Sequence, residues 1–167
     1  LKHFTLLIST CSISNKETIS SILFCKSSAG MYFIFFVNYN IKLEHLVDEN
    51  HDVFITCYQN NIEHLNTGSI IYRNTPWTRK FLQEIWDDQE FVAARPNCFF
   101  EQSAIVKYYK NHPEEQHRFK MVDCQILNAH YHQGLEHLNI NYNHGKSLCV
   151  HLAGTNNEYR MKVLPEF

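Results

Sequence analysis

Residues 65–88 read LNTGSIIYRNTPWTRKFLQEIWDD and combine a strand signal with a helix signal. It places Gly68 between Asn-Thr and Ser, directly before a short apolar run, in a chain with only 5 glycines. Asn and Gly both tolerate the left-handed backbone of tight turns, so the sequence predicts a turn at residues 66–68. A short strand at residues 69–72 follows.

A helix is predicted directly after this strand. It begins at Thr75 and Pro76, because the fixed φ angle of proline suits the first helical position. Apolar side chains then recur at helical spacing and predict a broad face packed on a sheet. These side chains are Trp77, Phe81, Leu82, Ile85 and Trp86. We interpret the aromatic ones as core residues rather than as a platform for sugars.

Strand and helix signals alternate on both sides of this stretch. Apolar runs at residues 33–37 and 52–57 predict strands, and Asn40 is placed to cap a short helix between them. The remaining predicted elements are a helix at residues 101–112 and strand candidates at residues 119–132 and 146–154. Such alternation is typical of an α/β fold. Residues 1–32 are Ser/Thr-rich and only weakly periodic, so their structure is poorly determined by the sequence.

Composition excludes several classes of protein. The chain has 167 residues, about one domain, and a formal net charge of −2 without a basic block, which argues against a nucleic-acid partner. The longest apolar run, residues 31–37, suits a buried strand and is too short to cross a membrane. The six cysteines are scattered and show no zinc-finger spacing. No G-x-S-x-G, P-loop or G-x-G-x-x-G motif is present.

The eleven histidines need individual interpretation. His130, His132 and His137 would form only a loose cluster, and we interpret them as solvent-facing polar residues. His151 differs, because it ends an apolar strand and is followed by a turn that contains Gly154. An imidazole and backbone N–H groups at the carboxyl end of a strand lie where open α/β sheets bind ligands.

Four motifs occur in a fixed order. They are LNTGSIIYRNTPWTRKFLQEIWDD at residues 65–88, EQSAI at 101–105, ILNAHY at 126–131 and SLCVHLAG at 147–154. Together they resemble the galactosyl-, mannosyl- and xylosyltransferases of glycosyltransferase family thirty-four. The resemblance spans residues 38–154 and implies an α/β fold of the GT-A type.

The resemblance also implies an activity. Such a protein would transfer a hexose or pentose from a UDP- or GDP-linked nucleotide sugar to a glycan acceptor, with retention of configuration. A divalent metal, usually manganese, would hold the donor diphosphate, because a hard cation neutralises that leaving group. The full-length family type would lie on the lumenal side of the Golgi membrane. Oligomers with identical or related glycosyltransferases are a further expectation.

The resemblance assigns roles on the sugar side of the site. Asn66, Thr67 and Gly68 would line the sugar pocket, with the glycine allowing the backbone to approach closely. Glu101 and Gln102 would lie under the reacting sugar as catalytic residues, orienting hydroxyls or stabilising oxocarbenium-like charge. Glu101 also suits its position structurally, since a carboxylate in the first turn favours the helix dipole.

The metal side departs from the family pattern. His151 would be a metal ligand, with Gly154 near the diphosphate. The family carries a D-x-D metal motif, which should fall here within residues 29–34, but the chain reads AGMYFI and has no Asp before Asp48. One histidine cannot replace two carboxylates, so the manganese ligand set is incomplete.

Two explanations of this departure stay open. Residues 1–32 would be a segment outside the family and residues 33–167 the C-terminal part of a GT-A-like domain, incomplete at its N-terminal side and impaired in activity. Alternatively, the chain is a diverged homologue that serves as a non-catalytic binding or scaffold protein. A separate interpretation of the whole chain is an unrelated α/β domain whose motif matches are coincidental.

Overall fold

The computed structural model describes residues 4–8, 11–13, 23–26, 32–38, 40–88, 90, 101–131, 140–152 and 157–163. The strands of this part are β1 Phe4–Ile8, β2 Cys11–Ile13, β3 Leu23–Lys26, β4 Tyr32–Val37, β5 Val53–Cys57, β6 Leu65–Arg73, β7 Phe119–Val122 and β8 Cys149–His151. The α-helices are α1 Pro76–Asp87, α2 Glu101–Asn111, α3 Cys124–Leu127 and α4 Asn157–Val163.

The strands form two sheets. The larger has the order β2-β1-β6-β5-β7, in which β5 and β7 are parallel and the other pairs antiparallel. The smaller has the order β3-β4-β8 and is antiparallel, with Phe35 of β4 opposite His151 of β8. Strands β4, β5 and β6 are joined by 3-10 turns before α1 and α2, and strands and helices alternate only from β7 onward.

Strand β5 is buried on both faces and separates two cores. Val53 and Ile55 face the first core, which α1 and α2 cover with Phe81, Ile105 and Tyr108. The second core lies on the other face of the sheet. It contains Phe54, Ile71, Val122, Leu127 and Leu148. The alternation of side chains along a strand explains why neighbouring residues of β5 belong to different cores.

The start of helix α1 was predicted correctly, and so was most of its buried face. The Thr75 hydroxyl accepts a hydrogen bond from the Thr78 N–H, and Pro76 is the first helical residue. Trp86, however, is 79% exposed, so its assignment to the core was wrong. Each helical residue turns by about 100°, which puts Trp86 about 140° around the helix from the buried Phe81. It therefore points away from the sheet.

The turn predicted at residues 66–68 is wrong. Strand β6 begins at Leu65, so Gly68 lies inside a strand. Opposite β5 the register runs from Thr56 paired with Asn66 to Phe54 paired with Ile71, with an irregularity between the two. Residues 67–70 thus form a wide bulge, and a bulge uses glycine for a close backbone approach as readily as a turn does.

The helix that Asn40 was predicted to cap is also absent from the described residues. Its place is taken by a single 3-10 turn, Leu43–His45, which has no side-chain cap. The Asn40 N–H instead donates to the Asn38 side chain over 3.0 Å. The apolar residues Leu43 and Leu46 still pack on the second core, so burial is kept without a full helix.

After α1, the structure confirms one predicted helix and shows that one predicted strand is partly helical. The predicted helix at 101–112 is α2. The strand candidate at 119–132 is β7 followed by α3, because the Asp123 side chain accepts from the Gln125 N–H and caps a helix there. Strand β8 lies within the predicted 146–154. None of the described helices is long and apolar enough to cross a membrane.

Candidate active site

The bulge of β6 brings three elements together. The Thr67 hydroxyl donates a hydrogen bond of 2.9 Å to the Glu101 carboxylate at the first residue of α2. Gly68, the next residue, contacts His151 at the end of β8. Adjacent residues of one strand therefore connect a carboxylate with an imidazole that lies 50 positions after it in the chain.

Only glycine fits at position 68, because its backbone lies against the His151 ring. A Cβ atom built on Gly68 would overlap the imidazole ring of His151. The ring is buried, and the His151 backbone N–H donates to the Ala129 carbonyl over 2.8 Å. Strand β4 pairs with the other side of β8. The imidazole is thus held between the bulge and the smaller sheet.

Asn66 stabilises the bulge itself. Its side-chain oxygen accepts a hydrogen bond of 2.9 Å from the Gly68 N–H, two residues further on. Such a local contact gives the backbone an alternative to the sheet ladder. The Thr56 hydroxyl adds a hydrogen bond to the Asn66 carbonyl at the edge of the bulge. Asn66, which the resemblance assigns to the lining of the sugar pocket, therefore uses its side-chain oxygen to hold the bulge.

A buried hydroxyl and a buried thiol lie beside this site. Burial raises the pKa of the Tyr72 hydroxyl, and the nearby Glu101 carboxylate raises it further. Burial also raises the pKa of the Cys149 thiol to about 12, although the Ser69 hydroxyl, 3.1 Å away, acts in the opposite direction. The thiol therefore stays protonated near neutral pH and is no nucleophile.

The residues present do not complete a metal site. Among the residues that the structure describes, no three His, Cys, Asp or Glu side chains are grouped so that they could hold a metal ion. Residues 32–34, part of the segment where the D-x-D motif should fall, are Tyr, Phe and Ile. A divalent cation prefers several carboxylate oxygens, which His151 does not supply. The predicted manganese site does not fit these residues.

For the remaining predicted residues, the structure gives fewer contacts or none. Gln102 is partly buried in the first turn of α2, next to Glu101. Gly154 lies outside the described residues, as do His132 and His137 of the loose histidine cluster. The His130 N–H and carbonyl form backbone hydrogen bonds to Ile140 and Tyr142.

Sequence reasoning gave no role to three polar residues near the site. Ser69 and Cys149 contact each other, and both are completely buried. Asn128 is buried beside β8. The signal for Cys149 is its position two residues before His151, which puts both side chains on one face of β8. The signal for Asn128 is its place in the motif ILNAHY.

Comparisons with known proteins identify the family of the chain. The model of the galactosyl transferase GMA12/MNN10 family matches residues 15–162. The match begins upstream of the boundary that we placed after residue 32, and that boundary stays a prediction. No curated protein matches the chain.

A solved structure resembles most of the chain. Its title is "Crystal structure of a glycosyltransferase involved in the glycosylation of the major capsid of PBCV-1". The two sequences are 16% identical, and the structures superpose with a TM-score of 0.57. The match covers 80% of this chain. The matched part is 63% of the length of that structure. The likeness confirms the predicted α/β fold of the glycosyltransferase type.

Proposed function

Because the chain belongs to the galactosyl transferase GMA12/MNN10 family, we propose that it binds a nucleotide sugar for glycosyl transfer. The donor is UDP- or GDP-linked, the transferred sugar is a hexose or pentose, the acceptor is a glycan, and configuration is retained. One observation carries this proposal: Thr67 and Gly68 join the carboxylate of Glu101 to the imidazole of His151 at a single bulge. Family membership supports the chemistry of transfer, and the contacts at the bulge support a sugar-binding role for these residues.

The proposed roles follow from the contacts. Glu101 is exposed apart from its bond to Thr67, so its carboxylate is available to a sugar. A negative charge there would stabilise the positive charge that develops on the anomeric carbon as the bond to phosphate breaks. Gln102 would hydrogen-bond a sugar hydroxyl. His151 would contact the diphosphate side, with Gly154 beside it, while Asn66 would hold the bulge in shape.

The family generally depends on a divalent metal, which bears on the activity proposed here. Among the described residues, no three possible metal ligands are grouped around His151 or elsewhere, so the proposed roles fall to the side chains alone. This shortage supports impaired turnover. It also favours the second candidate function, a non-catalytic glycosyltransferase-like binding or scaffold protein, which would act in an oligomer with active transferases. Residence on the lumenal side of the Golgi membrane is proposed from the family alone.

Titration calorimetry with UDP, GDP and their sugar conjugates, with and without manganese, tests the binding proposal. We expect His151→Ala to weaken nucleotide binding by about tenfold, the effect of losing one interaction worth about 1.4 kcal/mol. His117→Ala is the matched control, because His117 is an exposed histidine in the 3-10 helix Pro113–Arg118. Equal nucleotide affinity in His151→Ala and wild type would remove His151 from the site.

Glu101→Gln separates the enzyme from the scaffold. An enzyme would retain nucleotide binding in this variant but lose sugar transfer to an added glycan, because the carboxylate acts on the transition state. A scaffold would bind the nucleotide sugar without transfer in both wild type and variant. Transfer that survives in Glu101→Gln at the wild-type rate would contradict the role given to Glu101.

A further inference from the structure

Asn128 carries a polar side chain that the fold buries without using it. The residue is 1% exposed, and neither its amide nitrogen nor its amide oxygen has a hydrogen-bond partner. Burying a carboxamide in this way costs free energy, and native proteins rarely leave both ends unpaired without a reason. Asn38, another buried asparagine, shows the usual arrangement, since it donates to the His144 carbonyl and accepts from the Asn40 N–H.

The backbone around Asn128 places it next to the candidate site. Ala129 pairs in parallel with Val150, through hydrogen bonds from the Ala129 N–H to the Cys149 carbonyl and from the His151 N–H to the Ala129 carbonyl. Paired residues share a face, and their neighbours point to the opposite one. Asn128 therefore shares a face with Cys149 and His151.

That face is directed at the bulge of β6. Cys149 contacts Ser69, and His151 contacts Gly68. The Cys149 thiol also donates to the Leu127 carbonyl, directly before Asn128. The unpaired carboxamide thus lies beside the two strands that form the candidate sugar pocket.

We propose that Asn128 is a ligand-binding residue whose carboxamide hydrogen-bonds hydroxyl groups of the bound sugar. The proposal rests on the proposed function, because it names a further contact of the same site. A carboxamide offers a donor and an acceptor together, which matches a pair of neighbouring sugar hydroxyls. The side chain breaks no hydrogen bond when it rotates toward a ligand, so reorientation is cheap. The hydrogen bonds to the sugar then offset the free-energy cost of burying the Asn128 carboxamide.

Asn128→Leu tests this, because leucine has the same number and branching of side-chain heavy atoms as asparagine and needs no hydrogen-bond partner. We expect this variant to melt at or above the wild-type temperature without ligand, since it removes an unpaired buried amide. We expect it to lose the upward shift in melting temperature that UDP-galactose, UDP-xylose or GDP-mannose produces in wild type, with affinity reduced at least tenfold. Asn38→Leu is the matched control and should melt several degrees lower, because its partners lose their hydrogen bonds.

The outcomes separate this inference from the proposed function. If Asn128→Leu melts as low as Asn38→Leu, the amide has a structural role, such as holding a buried water, and the inference fails. It also fails if Asn128→Leu keeps the full ligand shift while wild type binds. If Asn128→Leu does not fold, titration of Asn128→Ala with the same nucleotide sugars decides in the same way. If the wild-type protein binds none of the three nucleotide sugars, both the proposed function and this inference fail.

Discussion

Gly68 and His151 contact each other because the bulge in β6 carries the backbone directly under the imidazole ring. The absence of a side chain at Gly68 is therefore a packing requirement, not a requirement for a left-handed turn. Thr67, one residue earlier, faces Glu101. At the scale of single residues, the site depends on one small residue that lets two distant side chains approach the same strand.

Gly68→Ala should destabilise the protein by about 1–3 kcal/mol, the usual cost of forcing an extra methyl group into a packed site. The added Cβ would displace the His151 ring, so nucleotide binding should weaken as well. Urea unfolding and calorimetry measure the two effects. Gly145→Ala is the matched control, because the nearest neighbour of a Cβ there is the Asn143 side chain at 3.4 Å. Similar stability of both variants would show that the ring moves aside without cost.

At the scale of elements, α1 is positioned by its N-terminus. The Thr75 hydroxyl accepts from the Thr78 N–H over 3.1 Å and lies 3.3 Å from the Asp52 carboxylate. Asp52 in turn binds Arg118 over 2.6 Å, just before β7. The same cap that begins the helix therefore connects it to the loops that precede β5 and β7.

Thr75→Ala should reduce the free energy of unfolding by about 0.5–2 kcal/mol, the range for removing an N-cap side chain. Thr75→Ser keeps the hydroxyl and should stay close to wild type. Chemical denaturation monitored by circular dichroism compares the three proteins. An alanine variant as stable as the serine variant would mean that water satisfies the helix terminus equally well.

At the scale of the whole molecule, one aromatic cluster ties the helices to the larger sheet. Phe81 of α1 is completely buried and contacts Trp77, Tyr72, Tyr108 and Phe119, which come from both long helices and from two strands. The cluster lies on the face of the sheet opposite the second core. It fixes α2, whose first residue is Glu101, against the strand that carries Thr67.

Phe81→Ala should cost about 3–5 kcal/mol, because it leaves a cavity at the centre of this cluster. Trp86→Ala, on the same helix, should change stability by less than about 0.5 kcal/mol, because that side chain is exposed. Thermal and urea unfolding of the two variants provide the comparison. A large loss of stability in Trp86→Ala would contradict its assignment to the surface.

Elements with local signals could be predicted from the amino-acid sequence alone. Helix α1 follows from Thr75, Pro76 and apolar residues at helical spacing, and β5 follows from a continuous apolar run. Four motifs in a fixed order identified the family. In each case the information lies within one segment, where cap chemistry and periodicity act between residues a few positions apart.

The strand register and the assembly of the candidate site become visible only in the folded chain. Gly68 lies in a bulge because β6 pairs with β5 at both ends with unequal spacing, and no local signal encodes that spacing. Trp86 is exposed because the sheet covers only one side of α1. The pairs Thr67 with Glu101 and Gly68 with His151 join segments far apart in the chain. Such contacts depend on strand pairing and packing, which are properties of the assembled chain and not of any segment alone.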